Sequence, residues 1–102
     1  MIVYHGSTEI VEKPDVKHSY RRLDFGIGFY VTTVREHAER WARRKADVRG
    51  EKSAIVNIYH MGVWDKERAL KEIKVYPSYD QIAFISQRTI KQLLKFESFE
   101  GV

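Results

Sequence analysis

Three short blocks of this 102-residue chain carry side chains able to do chemistry together: Tyr4-His5-Gly6-Ser7, Phe25-Gly26-Ile27-Gly28-Phe29-Tyr30-Val31-Thr32 and Tyr79-Asp80-Gln81-Ile82. The imidazole of His5 can donate or accept a hydrogen bond near neutral pH. Tyr30 offers a flat face for stacking, and Gln81 an amide that donates and accepts but cannot act as a base. Taken singly, each has a plain structural reading: a hydrogen-bonded histidine at a strand end, a core tyrosine, a polar-face glutamine. Gly26 and Gly28 do not complete a dinucleotide fingerprint, which needs a third glycine and a following helix. A Rossmann site is therefore not expected.

Other constellations carry less. His5, His18, His37 and His60 share no spacing that gathers them on one face, so no metal site is expected. Asp24 and Asp80 are a carboxylate pair whose use in glycoside hydrolysis depends on a separation that sequence does not supply. The absence of cysteine excludes a disulfide framework and thiolate chemistry. Trp41 and Trp64 read as packing anchors rather than base platforms.

The elements that must position these residues follow from pattern. Ile2 to His5 is an apolar run stopped by Gly6-Ser7, a strand entering a turn. Thr8 to Leu23, with Pro14 and many charges, reads as mostly loop. Gly28 to Thr33 is a β-branched and aromatic strand. Thr33 to Glu36 fits a capping box, and Val34, Ala38, Trp41 and Ala42 recur at helical spacing, so a helix is expected to end before Gly50 with Trp41 buried against a sheet. Ala54 to Tyr59 is a strand, Asp65 to Ile73 a helix, Asp80 to Ile85 a strand. Ser86 caps a helix carrying Ile90, Leu93 and Leu94, and Lys95 to Glu100 closes as a strand. That order predicts one α+β domain over residues 1–102, a mixed or mainly antiparallel sheet packed against helices.

Composition bounds the rest. With 43% hydrophobic and 13% aromatic residues the chain can build one core. It has no apolar run long enough to span a membrane, and no basic leader precedes an apolar stretch at its start. A cytoplasmic protein is the expectation. The formal charge is +4, with the excess in Arg40, Arg43, Arg44, Lys45 and Arg49. Glu36, Glu39 and Asp47 are interleaved there, so the cluster reads first as a solvated helix face and only second as a nucleic-acid footprint.

Taken in order, the three blocks resemble the ADP-ribosyltransferase superfamily, in the branch whose motif places His, Tyr and Glu on three strands. The first block is similar to that branch's His-Gly-Ser, the second to its Phe-Gly-x-Gly-hydrophobic-Tyr segment. The sequence resembles more closely a bacterial family catalogued as domain of unknown function 3990, in which Asp24-Phe25-Gly26, Gly28-Phe29-Tyr30, a Trp41-Ala42 helix and Asp80-Gln81 recur. The resemblance runs from Met1 to about His60 and from about Met61 to Val102. Members carry a substantial segment between those pieces, which this chain lacks.

The resemblance implies a split-sheet fold, incomplete in its middle, and NAD as substrate. It implies that His5 holds a ribose hydroxyl, that Gly6, Ser7 and Gly28 line the dinucleotide, and that Tyr30 stacks on nicotinamide. Gln81 takes the catalytic position where the family has Glu. Transfer of ADP-ribose to an unidentified acceptor, or hydrolysis of NAD, is the activity implied. The alternative is a catalytically degenerate module of the same fold that binds NAD or a partner without turnover, and the missing segment also suggests self-association.

Overall fold

The alternation of a strand sets which residues can meet a ligand and which must meet the core. In β1 (Ile2–Ser7) the side chains of Val3, His5 and Ser7 fall on one face and those of Ile2, Tyr4 and Gly6 on the other. β3 (Ile55–Met61) runs antiparallel beside it, pairing Val3 with Tyr59 and His5 with Asn57. β6 (Leu94–Gly101) adds to the outer side of β3, with a register irregularity between Ile58 and Tyr59. A second antiparallel sheet has β5 (Gln81–Phe84) at its centre, flanked by β2 (Phe29–Val31) and β4 (Ile73–Tyr76). The computed structural model describes residues 1–16, 28–63, 72–76 and 80–102.

Among the described residues an isolated backbone bridge joins the two sheets. Tyr4 and Thr32 exchange backbone hydrogen bonds of 2.8 and 2.9 Å, an isolated antiparallel bridge between β1 and the end of β2. The architecture is thus α+β with two small antiparallel sheets. Helix α1 (Arg35–Arg49) packs against β1 and β3, and α2 (Gln87–Leu93) against β5 and β6.

The main core fills one side of this split sheet. Val3, Tyr59 and Met61 of the first sheet meet Phe29, Val31, Ile73, Ile82 and Phe84 of the second, with Ile90 and Leu94 closing the end. Fully buried aromatic residues such as Phe29 and Tyr59 each contribute on the order of 2–3 kcal/mol relative to exposure. On the other side Ala38, Val56 and Ile58 pack with Ile2 and Tyr4, and Ala42 and Ala46 with Ala54.

Small residues let α1 lie close. The buried stripe of the helix is Ala38, Ala42 and Ala46, and a Cβ on Gly6 would collide with the Ala38 carbonyl and sit 2.8 Å from the Ala42 amide. Trp41, expected against the sheet, is only part-buried, because the i, i+4 alanine stripe takes the sheet-facing side and turns Trp41 to its flank. The expected capping box also does not form. Val34 is the N-cap and makes no side-chain cap bond, while Thr32 Oγ1 accepts the Val34 N–H at 3.0 Å. At the far end Gly50 adopts the left-handed conformation (φ 67°) and its N–H returns to the helix carbonyls, as the sequence suggested.

β4 is an element the sequence did not reveal. Ile73, read as a helix end, lies in β4 opposite Phe84. The rest of the expected helix, Asp65 to Lys71, lies outside the described residues, as do His18, Asp24-Phe25-Gly26-Ile27, Trp64 and Tyr79.

Gly6→Ala is expected to destabilise the chain by about 3 kcal/mol, because the added methyl meets helix backbone rather than a movable side chain. For a protein of this size that lowers Tm by at least about 10 °C. A thermal melt shifted by less than about 3 °C would show that α1 does not seat against β1 in this way.

Candidate functional site

The three motif residues come from adjacent strands, and the sheets bring them near one another without pointing them the same way. His5 lies on the core face of β1 and is 2% exposed. Its ring stacks on Phe29 at 4.2 Å between centroids. Its Nδ1 donates to the Tyr30 carbonyl at 2.7 Å; that oxygen can only accept, so Nδ1 carries the hydrogen. Because Phe29 and Tyr30 are consecutive in β2, the Tyr30 ring leaves on the opposite side of the sheet.

Tyr30 is paired with Ala83, two residues from Gln81, so Tyr30 and Gln81 share a face. Tyr76 pairs with Gln81 and belongs to that face too. Tyr30 is 6% exposed, and burial, then the neighbouring Tyr76, raise its phenol above the usual tyrosine range. Gln81 is half-buried and enters an open groove of about 620 Å³ beside α1, lined by His37, Arg40, Trp41, Arg43 and Arg44. His37 Nδ1 sits 3.6 Å from the carboxylate of Asp80, whose own backbone is held at φ 51°.

The other motif residues serve the backbone. Gly6 lies under α1, and its carbonyl accepts from Lys45 Nζ at 2.7 Å. Ser7 is 2% exposed and its Oγ accepts the Glu9 N–H at 3.4 Å. Gly28 is buried where a Cβ would come within 3.1 Å of the Phe84 carbonyl, so its missing side chain serves the approach of β2 to β5.

A strap accounts for the burial of His5. The segment after β1 crosses the core face and is fastened by three side chains from two elements, β3 and α2. Asn57 Oδ1 accepts the Val11 N–H at 2.8 Å, and Asn57 Nδ2 donates to the Glu9 carbonyl at 3.1 Å. Tyr59 donates its hydroxyl to the Val11 carbonyl at 2.6 Å. Gln87 accepts the Val16 N–H and donates to the Pro14 carbonyl, both at 3.1 Å. Sequence reasoning missed all three. The signal for Asn57 was present: a lone amide in the apolar run Ile55 to Tyr59, fully buried here and therefore in need of partners.

Among the described residues no group of three or more His, Cys, Asp or Glu is placed to hold a metal ion, and no helix is long and apolar enough to cross a membrane. His5 is buried with Nδ1 on the Tyr30 carbonyl and its ring on Phe29, and the side of Gly6 where a Cβ would stand is occupied by the backbone of α1.

The sequence profile of a family described as protein of unknown function (DUF3990) matches residues 1–61. The matched stretch contains His5 and Tyr30 and stops before Gln81. No curated protein and no solved structure matches the chain.

Lys45 gives this region a pH dependence. Burial, with Arg49 nearby, lowers its ammonium from 10.5 to about 8. The unfolded chain therefore holds more protons than the folded one between those values, and stability rises with pH through that window. Above about pH 10 the trend reverses, because burial holds the phenols of Tyr59 and Tyr30 protonated while those of the unfolded chain ionise. Urea unfolding is expected to show a gain of about 1–2 kcal/mol from pH 7.5 to about 9.5. Lys45→Met should flatten that rise. A wild-type profile that is flat or falling over this range would contradict the buried ammonium.

Proposed function

This chain belongs to the DUF3990 family, and we propose that it is a catalytically degenerate, ADP-ribosyltransferase-like module that binds a partner rather than turning over NAD. The closed state of His5 carries this reading: 2% exposed, its Nδ1 on the Tyr30 carbonyl and its ring on Phe29. A ribose-binding histidine must be reachable by its ligand, and the His5 ring is buried. Tyr30 and Gln81 supply further support, since they face the opposite side of the sheet from the His5 ring.

Gln81 adds a chemical argument. An oxocarbenium-like ribose is stabilised by a full negative charge, and an amide supplies only a dipole. The nearest carboxylate in sequence, Asp80, lies beside His37 at 3.6 Å. Loss of one preorganised electrostatic contact costs on the order of a hundredfold in rate, and the buried His5 removes a second contact from the same ligand.

Titration with NAD, followed by chromatography for free nicotinamide, tests the proposal. The wild type is expected to show no saturable binding at about millimolar NAD, and Gln81→Glu to leave nicotinamide release at background. Release raised about tenfold or more by Gln81→Glu, and abolished by Tyr30→Ala, would instead establish a transferase or hydrolase limited only by its missing carboxylate.

A further inference from the structure

Helix α1 carries six basic and three acidic side chains over 15 residues, and the structure commits most of them. Arg35 pairs with Glu100 and lies 3.6 Å from Glu39; Arg43 lies 3.5 Å from the same Glu39. Lys45 donates to Gly6, and Arg49 to Thr8 Oγ1 at 3.1 Å. Among the described residues Arg40 and Arg44 have no ion-pair or hydrogen-bond partner, and both are exposed on the wall of the groove. They are one helical turn apart, about 6 Å along the axis.

Between them in sequence stands Trp41, part-buried in the same groove, with the His37 ring 6.4 Å away and tilted by 42°. Gln81 enters from β5 with one acceptor and two donors. We propose that this groove is a binding site for single-stranded nucleic acid. Arg40 and Arg44 contact successive phosphates, Trp41 stacks on an unpaired base, and Gln81 reads that base's edge.

The chemistry selects this occupant over others. Two unpaired guanidinium groups match backbone phosphates, and an aromatic platform with a cationic border is how proteins hold single strands without strong sequence preference. A duplex keeps its bases stacked on each other and leaves Trp41 unused. A simple polyanion likewise uses only the charge. Asp47 lies toward the C-terminal end of the groove and opposes the phosphates. The inference names the partner of the module proposed above yet stands on the groove alone: NAD turnover would overturn that reading and leave this one intact.

Fluorescence anisotropy of a labelled mixed-sequence RNA of about 12 nucleotides, titrated with the full chain at about 50 mM salt, is the test. Saturable micromolar binding is expected. Arg40→Ala with Arg44→Ala should weaken it at least about tenfold and reduce the salt slope by about 1.4, the value for two single-strand phosphates. Asp47→Asn should tighten it a few-fold. In a Trp64→Phe background, where Trp41 is the remaining tryptophan, the RNA should quench emission. The proposal is overturned by no saturation at about 50 μM, by an unchanged double variant, by unquenched Trp41, or by duplex or heparin binding as tightly as the single strand. Circular dichroism of the variants separates lost binding from lost fold.

Discussion

The approach of α1 to β1 at Gly6 is the constraint on which the other placements rest. With no Cβ there, the helix backbone at Ala38 and Ala42 lies directly on the strand, and Ala46 continues the contact. Lys45 reaches back to bond the Gly6 carbonyl. One face of β1 is thereby sealed by a helix, which leaves His5, Val3 and Ser7 to face the core and obliges that core to supply partners for an imidazole and a hydroxyl. The same contact fixes the rotation of α1, and the rotation turns Trp41 and the arginines toward β5.

Local pattern made the strands legible because alternation and β-branched runs survive into the sheet. β1, β3, β5 and β6 lie where the apolar runs begin and end to within two residues, and Gly50 stops α1. What pattern left open was set by contacts distant in sequence. Ile73 belongs to a helix-forming stretch, but pairing with Phe84 draws it into β4. Thr33 and Glu36 had the residues of a capping box, yet Thr32 takes the amide of Val34 instead. For the candidate site, sequence identified His5, Tyr30 and Gln81 as the residues of interest and placed each on a strand. Period two says that His5 opposes Gly6, but not which of the two the helix will cover, and that choice decides whether His5 meets solvent or core.

The strap makes this orientation costly to reverse. Asn57, Tyr59 and Gln87 together make five hydrogen bonds to the backbone of residues 9–16. Each is worth roughly 1 kcal/mol net when made, and more when its loss leaves a buried group unsatisfied. Lifting the strap thus costs on the order of 5 kcal/mol, a large share of what holds a domain of this size folded. His5 lies in the same buried polar layer as its β-partner Asn57.

Charge on α1 shows why proximity in sequence is a poor guide to neutralisation. Glu36 precedes Arg40 by four residues, the favourable orientation for a helical ion pair, and Asp47 follows Arg43 and Arg44 within one turn. Neither acid pairs with them among the described residues; Glu39 draws in both Arg35 and Arg43, and Glu100 of β6 takes the other side of Arg35. A surface pair of this kind gains only about 0.3–0.5 kcal/mol, so small tertiary preferences, such as the reach of β6 toward Arg35, redistribute the partners. The result is a helix whose average charge is modest and whose cationic groups are uneven: Arg35, Arg43, Lys45 and Arg49 are committed, whereas Arg40 and Arg44, beside Trp41 in the groove, have no partner among the described residues.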